Sequence, residues 1–129
     1  MGGFDVATLQ RGHSERDPEL LLDLYADDAE LVVIDHDHPP SHPLVLEGRE
    51  AIAGYLRQLC ADDITLDVGD IVLGDDRVAL HVAWWYPDGA QALSSEVLEL
   101  DDDGRILRET IVQAFDPDAD DEPPPRAAR

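Results

Sequence analysis

The stretch that decides the fold runs from residue 64 to residue 115 and reads ITLDVGDIVLGDDRVALHVAWWYPDGAQALSSEVLELDDDGRILRETIVQAF. Its strand-forming segments are separated by Gly74-Asp75-Asp76, Pro87-Asp88-Gly89 and Asp101-Asp102-Asp103-Gly104. Proline presets φ and glycine accepts a positive φ, so such sequences favour tight turns. Four strand segments joined by short turns predict a four-stranded antiparallel meander.

Two helices are predicted before this meander. The segment from Phe4 to Arg16 is weakly helical. A clearer helix starts at Asp17-Pro18, because aspartate caps a helix and proline suits its first position. Its apolar face runs from Leu20 to Tyr25, and Asp27-Asp28 is predicted to end it.

A buried strand and a third helix complete the pattern. The segment Glu30–His36 predicts a strand that is covered on both faces, since its centre is continuously apolar. The three prolines of His38–Pro43 indicate a loop. A helix follows Gly48, with apolar residues at helical spacing. Helices in the N-terminal half and a meander in the C-terminal half predict an α+β fold, in which helices lie across the concave face of a curved antiparallel sheet.

The composition restricts domain number and partners. The chain has 129 residues, of which 30 are acidic and 9 basic, for a formal net charge of −21. That charge excludes binding to a nucleic-acid backbone and argues against docking on anionic membranes. The length predicts one domain over residues 1–116, and an acidic, proline-rich tail at 117–129 is expected to be disordered. A lone Cys60 and an N-terminus without signal-peptide features predict a cytoplasmic protein.

Three segments resemble the nuclear transport factor 2-like superfamily and, within it, the SnoaL-like proteins. They are Leu24–Glu30, Leu46–Ile52 and Asp103–Ile106, and the likeness covers roughly residues 5–116. The resemblance implies a cystatin-like α+β barrel with a cone-shaped cavity and a homodimer formed through the outer sheet face. The superfamily includes isomerases, polyketide cyclases, epoxide hydrolases, dehydratases and non-catalytic binding domains, so fold alone does not define the reaction.

The resemblance also indicates where a catalytic group would lie. Catalytic members often use an acidic residue or a histidine near the end of the first strand, and Asp35 and Asp37 lie there. We predict Asp35 as the acid–base group, with a pKa raised by an apolar pocket, and His38 as the residue that tunes or relays its proton. Alternatively, these residues cap a strand end and form a polar loop.

The same segment also permits a metal site. His36 and His38 have a spacing that supplies two ligands from one strand, and His42 or an aspartate would be a third. The superfamily is mostly metal-free, and a solvated histidine-rich loop is the alternative. No phosphate-binding glycine loop or cysteine pair is present. We therefore expect no cofactor and no metal.

The meander supplies candidate pocket residues. Val78, Leu80, Val82, Trp84 and Tyr86 share one strand face, which we assign to the cavity or core. His81 and Trp85 share the other face, which we assign to the dimer contact. Glu109 is predicted to face solvent or a partner subunit. The predicted substrate-binding residues are Tyr25, Tyr55, Trp84, Tyr86, Glu96 and Gln113.

Together these features predict a small enzyme that acts without a cofactor on an apolar small molecule. Acid–base chemistry such as isomerisation, cyclisation or epoxide opening would suit such a pocket. The alternative is a non-catalytic domain that binds a small molecule or dimerises. The two differ in whether a carboxylate faces the cavity.

Overall fold

The structure is a computed structural model that describes residues 3–117. Except for Pro117, the predicted acidic tail therefore lies outside the described residues. The helices are α1 (Val6–Ser14), α2 (Pro18–Leu22) and α3 (Arg49–Ala61). The strands are β1 (Tyr25–Ile34), β2 (Leu44–Glu47), β3 (Thr65–Leu73), β4 (Arg77–Trp85), β5 (Gln91–Leu100) and β6 (Ile106–Asp116).

The strands form one six-stranded sheet in the order β2-β1-β6-β5-β4-β3. The predicted meander β3–β6 is confirmed, with antiparallel pairing throughout. The first strand joins the meander in parallel, where Val33 lies opposite Ile111 on β6. The predicted α+β architecture with a curved sheet is thus confirmed, and its helices cover one face of that sheet.

Two predicted boundaries in the N-terminal half are wrong, and one strand was not predicted. The first strand runs from Tyr25 to Ile34 instead of from Glu30 to His36. The second helix ends at Leu22 instead of continuing to Tyr25, because Leu24 and Tyr25 already contact the last strand. The backbone N–H of Ile106 donates to the carbonyl of Leu24 over 2.8 Å. Pairing with a sheet outweighs the weak propensity of a five-residue helix. The four-residue strand β2 was also not predicted, since so short a segment carries little periodicity.

The core lies between the helices and the concave face of the sheet. Leu9, Leu21, Ile52 and Leu56 from the three helices are buried against it. Leu31, Val32 and Val33 on β1 are all buried, which confirms the prediction that both faces of that strand are covered. None of the three helices is long and apolar enough to cross a membrane.

Two helical glycines give a matched test of this packing. A Cβ atom on Gly12 would lie 2.5 Å from Cδ2 of Leu21, which is only 2% exposed, whereas a Cβ atom on Gly54 has nothing within 4 Å. We expect Gly12→Ala to lower the free energy of unfolding by about 1–3 kcal/mol through overpacking. We expect Gly54→Ala to raise it by about 1 kcal/mol through helix propensity. Urea denaturation measures both, and equal effects would contradict the close packing of α1 against α2.

Candidate active site

A nearly closed cavity lies between the helices and the inner face of the sheet. Its volume is about 20 Å³. A buried water needs about 10–15 Å³ of cavity volume, so the cavity has room for about one water. A larger ligand requires side chains to move apart. Its lining is apolar except for a few polar side chains. These are His13, Tyr25, Tyr55, Trp84, Glu96 and Glu109.

Two buried carboxyl groups, on neighbouring strands of the meander, face this cavity. Glu96 on β5 is 7% exposed and Glu109 on β6 is 5% exposed. They are hydrogen-bonded to each other, and the hydroxyl of Tyr25 donates a short hydrogen bond to Oε1 of Glu109. Two carboxylates in direct contact cannot both be ionised at low dielectric constant, so the pair shares a proton. We call Glu96 and Glu109 the carboxyl pair.

The hydrogen-bond donors around the pair indicate which group holds the proton. Nε1 of Trp84 donates to Oγ of Ser94 over 2.9 Å, and that hydroxyl donates to Oε2 of Glu96 over 3.0 Å. Glu109 instead accepts from both Tyr25 and Glu96. Each hydroxyl has one proton to give. The chain of donors therefore ends on Glu109, which is the carboxylate, while Glu96 is the acid.

The pKa shifts agree with this assignment. Burial, then the charge of Glu109, then the hydrogen bond to Glu109 raise the pKa of Glu96 well above its ordinary value. Burial also raises the pKa of Glu109, but the hydrogen bonds from Glu96 and Tyr25 oppose that rise. Burial and the charge of Glu109 raise the pKa of Tyr25 as well. The cavity thus holds one acidic proton beside one carboxylate.

The prediction that Glu109 faces solvent or a partner is wrong. In the register, Glu99 pairs with Arg108 but Leu100 pairs with Ile106, so Leu107 is an extra residue in β6. This bulge turns Leu107 outward, where it is 41% exposed, and leaves both Ile106 and Glu109 facing inward. The sequence contains one signal for an inward Glu109: it lies two residues from the apolar Ile111, so both side chains face the same side of β6. This signal is weak, because burying an isolated carboxylate costs free energy and a glutamate is therefore expected at the surface.

Four of the six predicted substrate-binding residues line the cavity, namely Tyr25, Tyr55, Trp84 and Glu96. The other two lie beside it: Nε2 of Gln113 donates to the hydroxyl of Tyr86 over 3.1 Å. The Tyr86 ring stacks at 6.3 Å from Trp84. These two residues therefore extend the polar and aromatic wall beyond the cavity. Whether any of the six binds substrate stays a prediction.

Asp35 and His38 lie at the end of β1 and outside the cavity lining. Oδ1 of Asp35 accepts from the backbone N–H groups of Asp37 and His38, and Nδ1 of His38 lies 2.8 Å from the same oxygen. Burial, and then the charges of nearby carboxyl groups including Asp35, raise the pKa of Tyr55. Burial, and to a smaller extent the charge of Asp35, raise the pKa of Tyr86. Tyr55 itself lines the cavity.

The three histidines of the possible metal site have separate partners. His36 stacks on Phe115 with ring centroids 4.4 Å apart. His38 contacts Asp35, and Nδ1 of His42 lies 3.2 Å from Oγ of Ser41. Within residues 3–117, no three histidine, cysteine, aspartate or glutamate side chains are grouped as a metal site requires.

His13 is a cavity residue that sequence reasoning missed. It lies in the last turn of α1, and burial lowers its pKa from 6.5 to about 4, so the imidazole is neutral near pH 7. Its Nδ1 atom is buried and has no hydrogen-bond partner within residues 3–117. No signal in the sequence pointed to it, because a lone histidine in a segment that is only weakly helical by sequence does not indicate a cavity position.

Most of the chain matches a known family. A model of the SnoaL-like domain matches residues 6–109, and the chain belongs to this family of the nuclear transport factor 2-like superfamily. No curated protein gives a significant match.

Several solved structures share the fold. A nuclear transport factor 2-like protein of unknown function from Mesorhizobium loti has a TM-score of 0.73 and 17% identity, over 84% of this chain and 87% of that one. The epoxide hydrolase/cyclase-like enzyme SalBIII, with a role in pyran ring formation in salinomycin, has a TM-score of 0.67 and 20% identity, over 84% and 87%. IdmH from Streptomyces antibioticus, a candidate polyketide cyclase, has a TM-score of 0.61 and 26% identity, over 84% and 88%.

Proposed function

We propose that this protein is an enzyme that performs acid–base chemistry, without a cofactor, on an apolar small molecule. The observation that carries the proposal is the carboxyl pair, which places one acidic proton and one carboxylate on the wall of an apolar cavity. Carboxyl groups with raised pKa values are suited to proton transfer near neutral pH. Two of the structural neighbours are described as a cyclase-like enzyme and a candidate cyclase, and isomerisation, ring closure and epoxide opening all fit this site.

Both members of the carboxyl pair have a role in such a cycle. Glu96 gives its proton to a ligand oxygen, while Glu109 takes a proton from a carbon atom, a hydroxyl group or a water molecule. This step leaves Glu96 ionised and Glu109 protonated. Because the two groups are hydrogen-bonded, the proton returns from Glu109 to Glu96 and the site is restored. Tyr25 holds Glu109 in place, and Ser94 holds Glu96.

The residues outside the cavity lining keep secondary roles in this proposal. Asp35 and His38 retain their predicted acid–base role only for a ligand that reaches the end of β1. Oδ1 of Asp35 already accepts several hydrogen bonds, so Oδ2 is the atom that would act. Tyr55, Tyr86 and Trp84 would form the wall against which the ligand packs.

Two probe reactions test the proposal directly. The protein is incubated at pH 7 with cyclohexene oxide or with 3-cyclohexen-1-one, and products are followed by gas chromatography. Diol formation reports epoxide opening, and conversion to 2-cyclohexen-1-one reports isomerisation. We expect the protein to accelerate at least one of the two reactions over the rate in buffer. Substitution of the carboxyl pair should abolish this acceleration. Binding of both probes without any acceleration would favour the alternative, a non-catalytic binding domain.

We also propose that two copies pair through the outer face of the sheet, as the family resemblance implies. The centre of that face exposes Val97 on β5 and Val112 on β6, at 44% and 48%. Ser95 lies opposite Val112 in the register, which makes Val97 and Val112 diagonal neighbours. An exposed apolar patch of this kind suits a self-complementary contact.

Charge substitutions on that face test the dimer. We expect the wild-type protein to have the mass of two chains by light scattering. Val97→Glu and Val112→Glu should shift it to one chain, because carboxylates would be buried or opposed across the two-fold axis. Leu73→Glu is the control and should leave the mass unchanged, because Leu73 on the edge strand β3 pairs with the core residue Val78 and so lies off the outer face, at 59% exposure. A monomeric wild-type protein would contradict the proposal.

The half-buried thiol of Cys60 is the basis for proposing a cytoplasmic location. It is a free cysteine, and burial raises the pKa of its thiol, which favours the unreactive protonated form. A free thiol suits a reducing compartment. Fractionation of cells that produce the protein would test this location.

A further inference from the structure

His13 has hydrogen-bonding capacity that the proposed proton transfer does not use. Its side chain is half-buried, but its Nδ1 atom is buried and has no partner among the described residues. Native proteins leave few buried polar atoms unsatisfied, since each one costs free energy. Leu9, Leu21 and Leu66 line the same cavity and offer no side-chain hydrogen bond. The imidazole is therefore available to a molecule that enters the cavity.

The position of His13 makes it complementary to the carboxyl pair. Glu96 and Glu109 project from the sheet, whereas His13 projects from α1, which covers the sheet. His13 and Leu66 also line an open groove of about 370 Å³ between α1 and β3. His13 thus lies where the cavity meets this groove, and a ligand that extends from the cavity into the groove passes the imidazole.

We infer that His13 is a specificity-determining residue that hydrogen-bonds a second oxygen of the ligand through Nδ1. This inference rests on the proposed function, which places the first oxygen of the ligand on the carboxyl pair. The ligand class is then an apolar molecule with two separated oxygen groups, each a carbonyl or a hydroxyl. A neutral imidazole suits either group, because its tautomers offer a donor or an acceptor at Nδ1.

The test compares ligands that differ by one oxygen. Binding of cyclohexanone, cyclohexane-1,4-dione and 4-hydroxycyclohexanone is measured by titration calorimetry at pH 7. We expect the wild-type protein to bind at least one of the two-oxygen ligands about 3- to 10-fold more tightly than cyclohexanone, as one hydrogen bond would provide. Burying the second oxygen without a partner would instead weaken binding. His13→Phe should abolish the preference, so that neither two-oxygen ligand binds more than about twofold more tightly than cyclohexanone.

A second variant separates this role from a purely structural one. His13→Asn places an amide close to the position of Nδ1 and should restore part of the preference, although it removes most of the ring. The ¹⁵N chemical shift of Nδ1 should change when the preferred two-oxygen ligand binds and change little with cyclohexanone. Rescue by His13→Asn together with this shift would confirm the contact.

Two results would overturn the inference. One is a wild-type protein that binds none of the probes or shows no preference for a second oxygen. The absence of a preference is expected if a buried water already hydrogen-bonds Nδ1. The other is a preference that persists in His13→Phe. Both are distinct from failure of the proposed function, which would show as probe reactions that are not accelerated or as unchanged turnover in variants of the carboxyl pair. A non-catalytic protein that loses its preference in His13→Phe would still have this binding contact.

Discussion

Glu96→Gln should lower turnover of whichever probe the protein converts by about 10²–10⁴-fold, the usual contribution of a general acid. The substitution preserves the geometry of the site. The glutamine carbonyl can accept from Ser94 as Oε2 of Glu96 does, and its N–H can donate to Glu109. What disappears is the transferable proton. The loss should therefore be in kcat, with KM changed only slightly.

Two further variants complete this test. Glu109→Gln removes the proton acceptor and should cause a comparable loss, and the double variant should be little worse than either single one, because the two groups act as a unit. Glu99→Gln removes a carboxyl on the same strand as Glu96 that lies 3.7 Å from Arg77 at the surface, and it should retain activity. A Glu96→Gln protein with more than half the wild-type rate would exclude the carboxyl pair from the mechanism.

The sequence predicted the sheet well because its signals are local. Pro87-Asp88-Gly89 and the aspartate-rich turn before Arg105 fix where strands reverse, and alternation along β4 fixes which face is buried. Val78, Leu80, Val82 and Trp84 are all buried as predicted. The short strand β2 and the early end of α2 could not be predicted in this way. They depend on pairing with β1 and β6, which is not local.

The candidate site was less predictable because it depends on details that alternation does not encode. One extra residue at Leu107 lets Ile106 and Glu109 both face inward, although simple alternation places them on opposite faces of β6. Each carboxyl alone would be costly to bury, and only the pair with Tyr25 makes burial acceptable. A sequence in which 30 of 129 residues are acidic gives little reason to select these two. Asp35 was favoured instead because family resemblance points to the end of the first strand.

The carboxyl pair should also make the folded protein lose stability as the pH rises. Both folded-state pKa values are raised above the ordinary 4.5, so above that pH the folded chain binds more protons than the unfolded chain. The contribution of each group is fully present below about pH 4.5 and is lost as the pH rises through its folded-state pKa. Each unit by which a pKa is raised corresponds to about 1.4 kcal/mol.

Glu109→Gln isolates this effect from the general repulsion in a chain of net charge −21. It removes the buried charge, while Glu96 and Tyr25 can still donate to the amide oxygen. We expect the variant to gain stability relative to wild type as the pH rises from 5 to 9, with about 4 °C in melting temperature for each kcal/mol. Glu99→Gln controls for the loss of one charge. A constant difference between Glu109→Gln and wild type across this range would mean that the pair does not share a proton. The acid at position 96 would then lack the carboxylate partner on which the proposed cycle depends.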